Sequence, residues 1–329
     1  MPRASGRPYE VMVVMPDAAW KAPEGRALFN VLDADLPGLP QSEASFKVSQ
    51  VSPKRFDHIL NIFRNIVVVD INKQIYSKTS MKFTRDKYAM DQIVLTIQSP
   101  TPAEFAEFCN VHGQDISDFL TKMEMNRLIK DLKGKYSKKT AELAKELFDC
   151  ELHAPDEIKS SKKGKDFFWT SSNGASGLVN ICMYSYPYEG PQTFNKQYVL
   201  AKRDSVMAVN IPGTLPTMHM ATDTLCTFVK PIIVHDQYAL EIRGLWYMVN
   251  DGMGGPFVSH SRVDTTRNLV IVAEGFVFAP EKMKRGLIRR LEGSLYTLNL
   301  PDEQTSPIVT TMEEVAVTAE ERKAARGMK

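Results

Sequence analysis

The chain has 329 residues with 41 basic and 39 acidic side chains, a formal net charge of +2. So even a balance offers no global field for nucleic acid, which places that partner class below the others. Hydrophobic residues make up 43% and charged residues 24%, an ordinary globular composition. The length suggests two domains with cores large enough to need no disulfides. No run approaches the roughly 18 apolar residues of a membrane helix.

The predicted elements begin with a buried strand, YEVMVVM (9–15), short and Val-rich. A helix follows in APEGRALFNVLDADLPG, with Pro23 and Glu24 suited to its first turn. FKVSQVS (46–52) alternates as a half-buried strand. PKRFDHILNIFR (53–64) places Phe56, Ile59, Leu60 and Phe63 on one side of a predicted helix. NIVVVDI (65–71) and QIVLTIQS (92–99) are strands, and 72–90 between them is polar and irregular. Thr101, with Glu104 three residues on, has capping-box spacing at a helix start. A long helical tract runs from Asp115 to about Phe148, its Lys-rich face read as solvated because acids are interleaved. Alternating strands and helices predict a layered α/β domain over 6–150.

The polar stretch ELHAPDEIKSSKKGKDF marks the boundary, with a linker at 151–166. Beyond it, DFFWTSS and GLVNICMYSYPY read as strands joined by a Ser/Gly-rich loop. The stretch 193–213 reads as a helix with Thr193 as N-cap. Four strands follow, at 225–234, 238–249, 256–264 and 268–278. A last helix puts Met283, Leu287, Leu291 and Leu295 on one side. Consecutive strands with tight connections predict an antiparallel sheet over 167–300, one face covered by the two helices. The whole is α/β (α+β): a layered N-terminal α/β domain, then a C-terminal antiparallel sheet with two helices. Residues 301–329 read as a loose tail with a weak helical pattern near 312–326.

Tests for chemistry exclude more than they find. SSKKGKDFF has a GK but neither the upstream Gly nor the following Ser or Thr of a phosphate loop. GASG at 174–177 lacks a strand-to-helix elbow, and HExxH is absent. Cys109, Cys150, Cys182 and Cys226 form no CxxC and have no His at finger spacing, so neither a zinc site nor another cofactor is expected. Cys109 and Cys182 read as buried small hydrophobes; Cys150 and Cys226 could pair only in an oxidising compartment. The six histidines are dispersed, with His235 in a tight turn.

The strongest candidate site is GLWYMVNDGMGGPFVSHSRVD (244–264). Strand parity gives 238–249 one apolar and one mixed face, the latter with Glu241 and Arg243. His260, Arg262 and Asp264 share a face of the next strand, and Glu274 stands among Val270, Val272 and Phe276 on the last. Ordinary registers would gather Glu241, Arg243, Arg262, Asp264 and Glu274 on one surface. The bland reading is a solvated face stitched by ion pairs. The sharper one is a recognition patch of Arg243, His260 and Arg262, with Trp246 or Tyr247 as aromatic anchor. Gly252, Gly254 and Gly255 would give the connection positive-φ freedom and let it approach a ligand.

GRPYEVMVV, GRALFNVLDADLPGLPQSE, RNIVVVDI, KDFFWTSSN, KRDSVMAVNIPG, MATDT, the 244–264 stretch and KMKRGLIRRLEGSLYTL together resemble a domain-of-unknown-function family of cell-envelope lipoproteins from Gram-negative gut anaerobes. The resemblance runs from about Gly6 to Pro301. It implies a periplasm-facing, lipid-anchored protein and no particular catalytic residues. Family members begin with a lipid-bearing cysteine, whereas the first here is Cys109. The anchor is therefore expected outside these residues, or this member departs from the pattern. Function is expected to be non-enzymatic binding of an envelope protein or a small envelope ligand. The alternative is a hydrolase of an envelope polymer or peptide, with acid/base groups from Glu241, Asp264, Glu274 or His260.

Overall fold

The computed structural model describes residues 1–172, 174, 177–308 and 312–317. Of the helical pattern expected near 312–326, residues 312–317 are not helical and the rest lie outside the described residues, as do Ala175 and Ser176 of the GASG stretch. The chain forms two compact units: Met1–Asp35 with Ala44–Arg127 and Val309–Lys329, and Leu36–Glu43 with Leu128–Ile308. No described helix is long and apolar enough to cross a membrane.

The first unit contains β1 (Glu10–Val14), α1 (Asp17–Lys21), α2 (Pro23–Leu32), β2 (Lys47–Val51), β3 (Asn65–Ile71), β4 (Ser80–Arg85), β5 (Ile93–Ser99) and the start of α3 (Pro102–Gly134). Its sheet has the order β2-β1-β3-β5-β4. All neighbours are parallel except β4, which pairs antiparallel with β5. This is the predicted layered α/β arrangement. The predicted helix at 53–64 is instead a short 3-10 turn, Pro53–Arg55, followed by further turns. Asp57 explains the difference: its carboxylate accepts the Ile59 and Leu60 N–H groups at 2.9 and 3.1 Å, a local turn that competes with helix. Phe56, Leu60 and Phe63 still pack on Met12, Val14 and Ile66. β4 lies in the stretch predicted irregular. Only Phe83 of its six residues is fully buried, so it shows almost no alternation. The Thr101 cap is present, accepting the Glu104 N–H at 3.2 Å.

The second unit contains α4 (Lys138–Phe148), β6 (Ser160–Gly164), β7 (Phe167–Ser171), β8 (Leu178–Pro187), α5 (Lys196–Asn210), β9 (Met220–Val234), β10 (Gln237–Met248), β11 (Gly254–Asp264), β12 (Leu269–Phe278) and α6 (Arg285–Leu295). Its seven strands run β6-β7-β8-β12-β11-β10-β9, each antiparallel to its neighbours. This is the predicted antiparallel sheet with two helices, but they do not share a face. Ile288, Leu291 and Leu295 of α6, with Leu143 and Phe148 of α4, pack on Ile181, Met183, Val258, Ile271 and Ala273. Val199, Leu200 and Met207 of α5 pack on Cys182, Tyr184, Leu240, Ile242, Val270 and Val272. Successive strand residues point to opposite faces, so the two cores lie on opposite sides of one sheet. α5 is capped by Asn195, which accepts the Tyr198 N–H at 3.0 Å, while the predicted cap Thr193 sits in the preceding 3-10 turn. All four cysteines are free; Cys226 is half-buried and the other three buried.

Candidate functional site

The 244–264 stretch forms the antiparallel pair β10–β11, with Glu241 opposite His260, Ala239 opposite Arg262 and Trp246 opposite Gly255. Arg243, His260 and Arg262 therefore point to the α6 face, as parity predicts. That face is not solvated. Glu241, Arg243, His260, Arg262 and Asp264 are all buried, because α6 and the residues after it lie over them and bring their own charges.

Arg243 Nε donates to Glu241 Oε1 at 2.9 Å, and its Nη2 pairs with Glu292 of α6. Arg289, one turn earlier on α6, pairs with Glu292 at 2.8 Å. His260 Nε2 lies 3.2 Å from Glu241 Oε2, and its ring stands edge-on to Tyr296 at 4.7 Å. Two guanidiniums, of Arg243 and Arg289, face two carboxylates, of Glu241 and Glu292. Burial works against ionisation of Glu241, but Arg243 and then His260 hold its carboxyl well below the usual range. Burial likewise opposes the charge on Arg243, yet Glu241 and Glu292 hold its guanidinium more firmly protonated than usual.

Arg262 is separate from this cluster. Its Nη1 donates to Glu303 at 2.9 Å and to the Leu298 carbonyl at 3.0 Å, clasping the segment after α6. Asp264 pairs with Arg267 at 2.5 Å, and Arg267 also donates to the Phe148 carbonyl at 2.6 Å. Glu274 does not join these groups. It lies opposite Ser259 in the register and so faces α5, where Arg203 holds it at 2.8 and 2.7 Å. Arg203 also donates to Thr222 at 2.7 Å and stacks over Phe257 at 4.0 Å.

Trp246 is buried. Its Nε1 donates to the Val277 carbonyl at 3.2 Å and its ring meets Phe276 edge-on. It anchors the α5-side core, whereas Tyr247 points the other way and is exposed. Gly254 and Gly255 belong to β11 rather than to the turn. The connection's positive φ falls on Asn250 at 59°, not on a glycine. Gly255 answers to close approach instead: a Cβ there would lie 2.0 Å from the Val277 carbonyl oxygen.

What remains accessible is the outer margin of the sheet. Leu225, Phe228 and Ile233 of β9 are 94, 51 and 55% exposed, and Tyr238 and Tyr247 of β10 are 53 and 45% exposed. Leu225 stands on a bulge, since residues 224–227 fall between the Asp223–Leu245 and Phe228–Arg243 pairs. Gly244 permits this: a Cβ would come within 2.9 Å of the Cys226 carbonyl oxygen. The buried partners Arg203, Arg289, Glu292 and Glu303 were not singled out in the sequence. For Arg203 there was a signal, since it shares an apolar helical stripe with Val199, Leu200 and Met207. The exposed margin left none, because an apolar residue in a strand reads as core.

Residues 137–297 match the family model of a domain of unknown function (DUF4837), and residues 4–133 match that of another (DUF8532). No curated protein matches the chain. A crystal structure from Bacteroides thetaiotaomicron VPI-5482 is similar at 11% identity and a TM-score of 0.26. The match covers 47% of this chain and 46% of that one, and at that level it carries no inference.

Proposed function

We propose that the protein is a non-enzymatic binding module of the cell envelope, engaging an envelope protein or a small envelope ligand through the β9–β10 margin of its second unit. The observation that carries this reading is the exposed apolar side chains there: Phe228 and Tyr247 on the Arg243 side of the sheet, Ile233 and Tyr238 on the Trp246 side, and Leu225 on the bulge. Exposed apolar groups gathered along one margin mark an interaction surface. The hydrolase alternative draws little support from the geometry: Glu241, Asp264, Glu274 and His260 are buried and held in ion pairs or hydrogen bonds. The envelope location and lipid anchor rest on the family resemblance, and cell fractionation with a lipid label tests them.

The binding test is mild crosslinking in native cells, with purification of the full-length protein and mass spectrometry. A stoichiometric envelope partner present with wild type and lost with Leu225→Asp/Phe228→Asp is expected. A protein that emerges alone, or a partner indifferent to both substitutions, overturns the reading. Trp246→Ala and Arg262→Ala would report on folding rather than binding, since both residues are buried.

A further inference from the structure

The turn between β9 and β10 consists of His235 and Asp236, both left-handed at φ +50° and +61°. Two such residues between paired strands make the hairpin turn that Asn and Gly ordinarily fill. Turn chemistry alone does not ask for histidine here. Its side chain meets the segment that follows α6: the Ser306 N–H donates to His235 Nδ1 at 3.1 Å, with the Ser306 carbonyl oxygen 3.3 Å from the same nitrogen. Six residues before Ser306, the Leu300 N–H is held by the Glu303 carboxylate at 2.9 Å, and Glu303 pairs with Arg262. The strap 301–308 is thus pinned to the sheet at two points, by Glu303 on Arg262 and by Ser306 on His235.

From this geometry we infer that His235 is an acid-sensitive clasp that holds the strap down at neutral pH and weakens its hold below it. Accepting the Ser306 N–H requires a bare Nδ1. The ring's Nε2 is buried and has no hydrogen-bond partner among the described residues. A second proton converts Nδ1 from acceptor to donor, so the Ser306 N–H loses its partner and only the more distant Ser306 carbonyl is left to receive the new one. Charged groups face the ring from three directions: Arg262 on β11, Lys133 near the end of α3, and Glu303 on the strap itself. Asp236 is its neighbour in the turn. Burial first, then Arg262, lowers the pKa of His235 from its ordinary 6.5, with Glu303 and the Ser306 carbonyl acting against them. A released strap frees the ring to protonate at its ordinary value. The open state then binds more protons than the closed one, so closure is complete above about 6.5 and is lost as pH falls through the lower, docked value.

The test is the protection factor of the Ser306 amide, already corrected for intrinsic exchange, measured on the full chain between pH 7.5 and 5. In wild type it is expected to fall about 3- to 30-fold, the range that a one-proton clasp with these limits permits. His235→Asn keeps an acceptor near Nδ1, suits the left-handed turn and does not titrate; its protection is expected to stay level. A wild-type fall of less than about threefold overturns the inference, as does an equal fall in His235→Asn. Should the variant not fold, the wild-type ring decides by NMR titration. A midpoint below 6.5 that tracks the Ser306 loss supports the clasp, and one at or above 6.5 overturns it. The readout is strap protection and does not depend on any partner, so it stands or falls apart from the binding proposal.

Discussion

Replacing Glu274 with Leu leaves Arg203 buried with Thr222 at 2.7 Å, a sulfur contact to Met220 at 3.6 Å and only a long ion pair, 3.8 Å, to Asp204. Replacing Arg203 with Met leaves a carboxylate with no exposed surface and with Asp204 as its nearby charge. Both side chains of the pair are at most 1% exposed, so solvent screening gives no relief. Removing one partner of such a pair costs about 3–5 kcal/mol, whereas replacing both with apolar groups of similar size is often neutral. Each single variant is therefore expected to lose about 3 kcal/mol or more. Arg203→Met/Glu274→Leu should recover most of that loss and stay within about 1 kcal/mol of wild type, giving a coupling of about 5 kcal/mol. Urea unfolding followed by tryptophan fluorescence measures it. Trp169 and Trp246 report the second unit, and a Trp20→Phe background removes the signal of the first. A 3 kcal/mol loss moves the midpoint by about 1 M or more. Single variants that shift it by less than roughly 0.3 M, or a double variant that loses the sum of both, would refute the view that this pair is desolvated.

Gly255→Ala should destabilise by about 2–3 kcal/mol through its clash with Val277, while Gly252→Ala, with no atom within 4 Å of its Cβ position, should stay within about 0.5 kcal/mol; thermal unfolding of the two side by side checks this. The Glu241 carboxyl, held below its usual 4.5 chiefly by Arg243 against the cost of burial, contributes stability that is present above about 4.5 and lost as pH falls through its lower folded value. Urea midpoints across that acid range should fall in wild type. They should fall less steeply in Glu241→Gln, which starts from lower stability at pH 7. Leu225→Asp should leave the unfolding midpoint within about 0.5 kcal/mol of wild type, since the residue is almost fully exposed; a larger loss would mean that Leu225 packs against the protein.

The sheet of the second unit was legible because its strands are long and their turns well marked. The four final strands fall within a few residues of their predicted spans, apart from β9, which begins five residues early. β6 escaped notice because Ser160–Gly164 contains no apolar residue to alternate. In the last helix, Met283 lies outside α6 and is exposed, and the buried stripe is Ile288, Leu291 and Leu295 with Arg289 and Glu292 beside it. A stripe counted on hydrophobicity alone misses two charges buried as a pair. The same cause turned the polar face of β10–β11 into a predicted solvated surface. Parity gives the face on which a side chain stands, but not what lies above it. Glu274 was legible as an isolated acid among valines and Arg203 as an isolated base on an apolar stripe; matching the two needed only the assumption that a buried charge seeks its opposite.

These burials constrain where function can reside in the second unit. α6 and α4 cover one face of its sheet and α5 the other, and the polar groups that such a sheet would otherwise offer to a ligand are spent on one another. Ion pairs such as Arg243–Glu241–Glu292 and Arg203–Glu274 add little net stability over apolar packing, yet each lets only one register satisfy both partners, because a one-residue slip would send Glu241 and Glu274 to the wrong helices. They fix the alignment of β10, β11 and β12, and with it the position of the outer margin. β9, at the end of that order, carries Lys230 and Pro231 between its exposed Phe228 and Ile233. A lysine and a proline on an edge strand discourage open-ended strand pairing. Contact through side chains such as Leu225 and Phe228 therefore fits the margin better than extension of the sheet does, and the substitutions that should matter most to a partner are those that leave the backbone of β9 untouched.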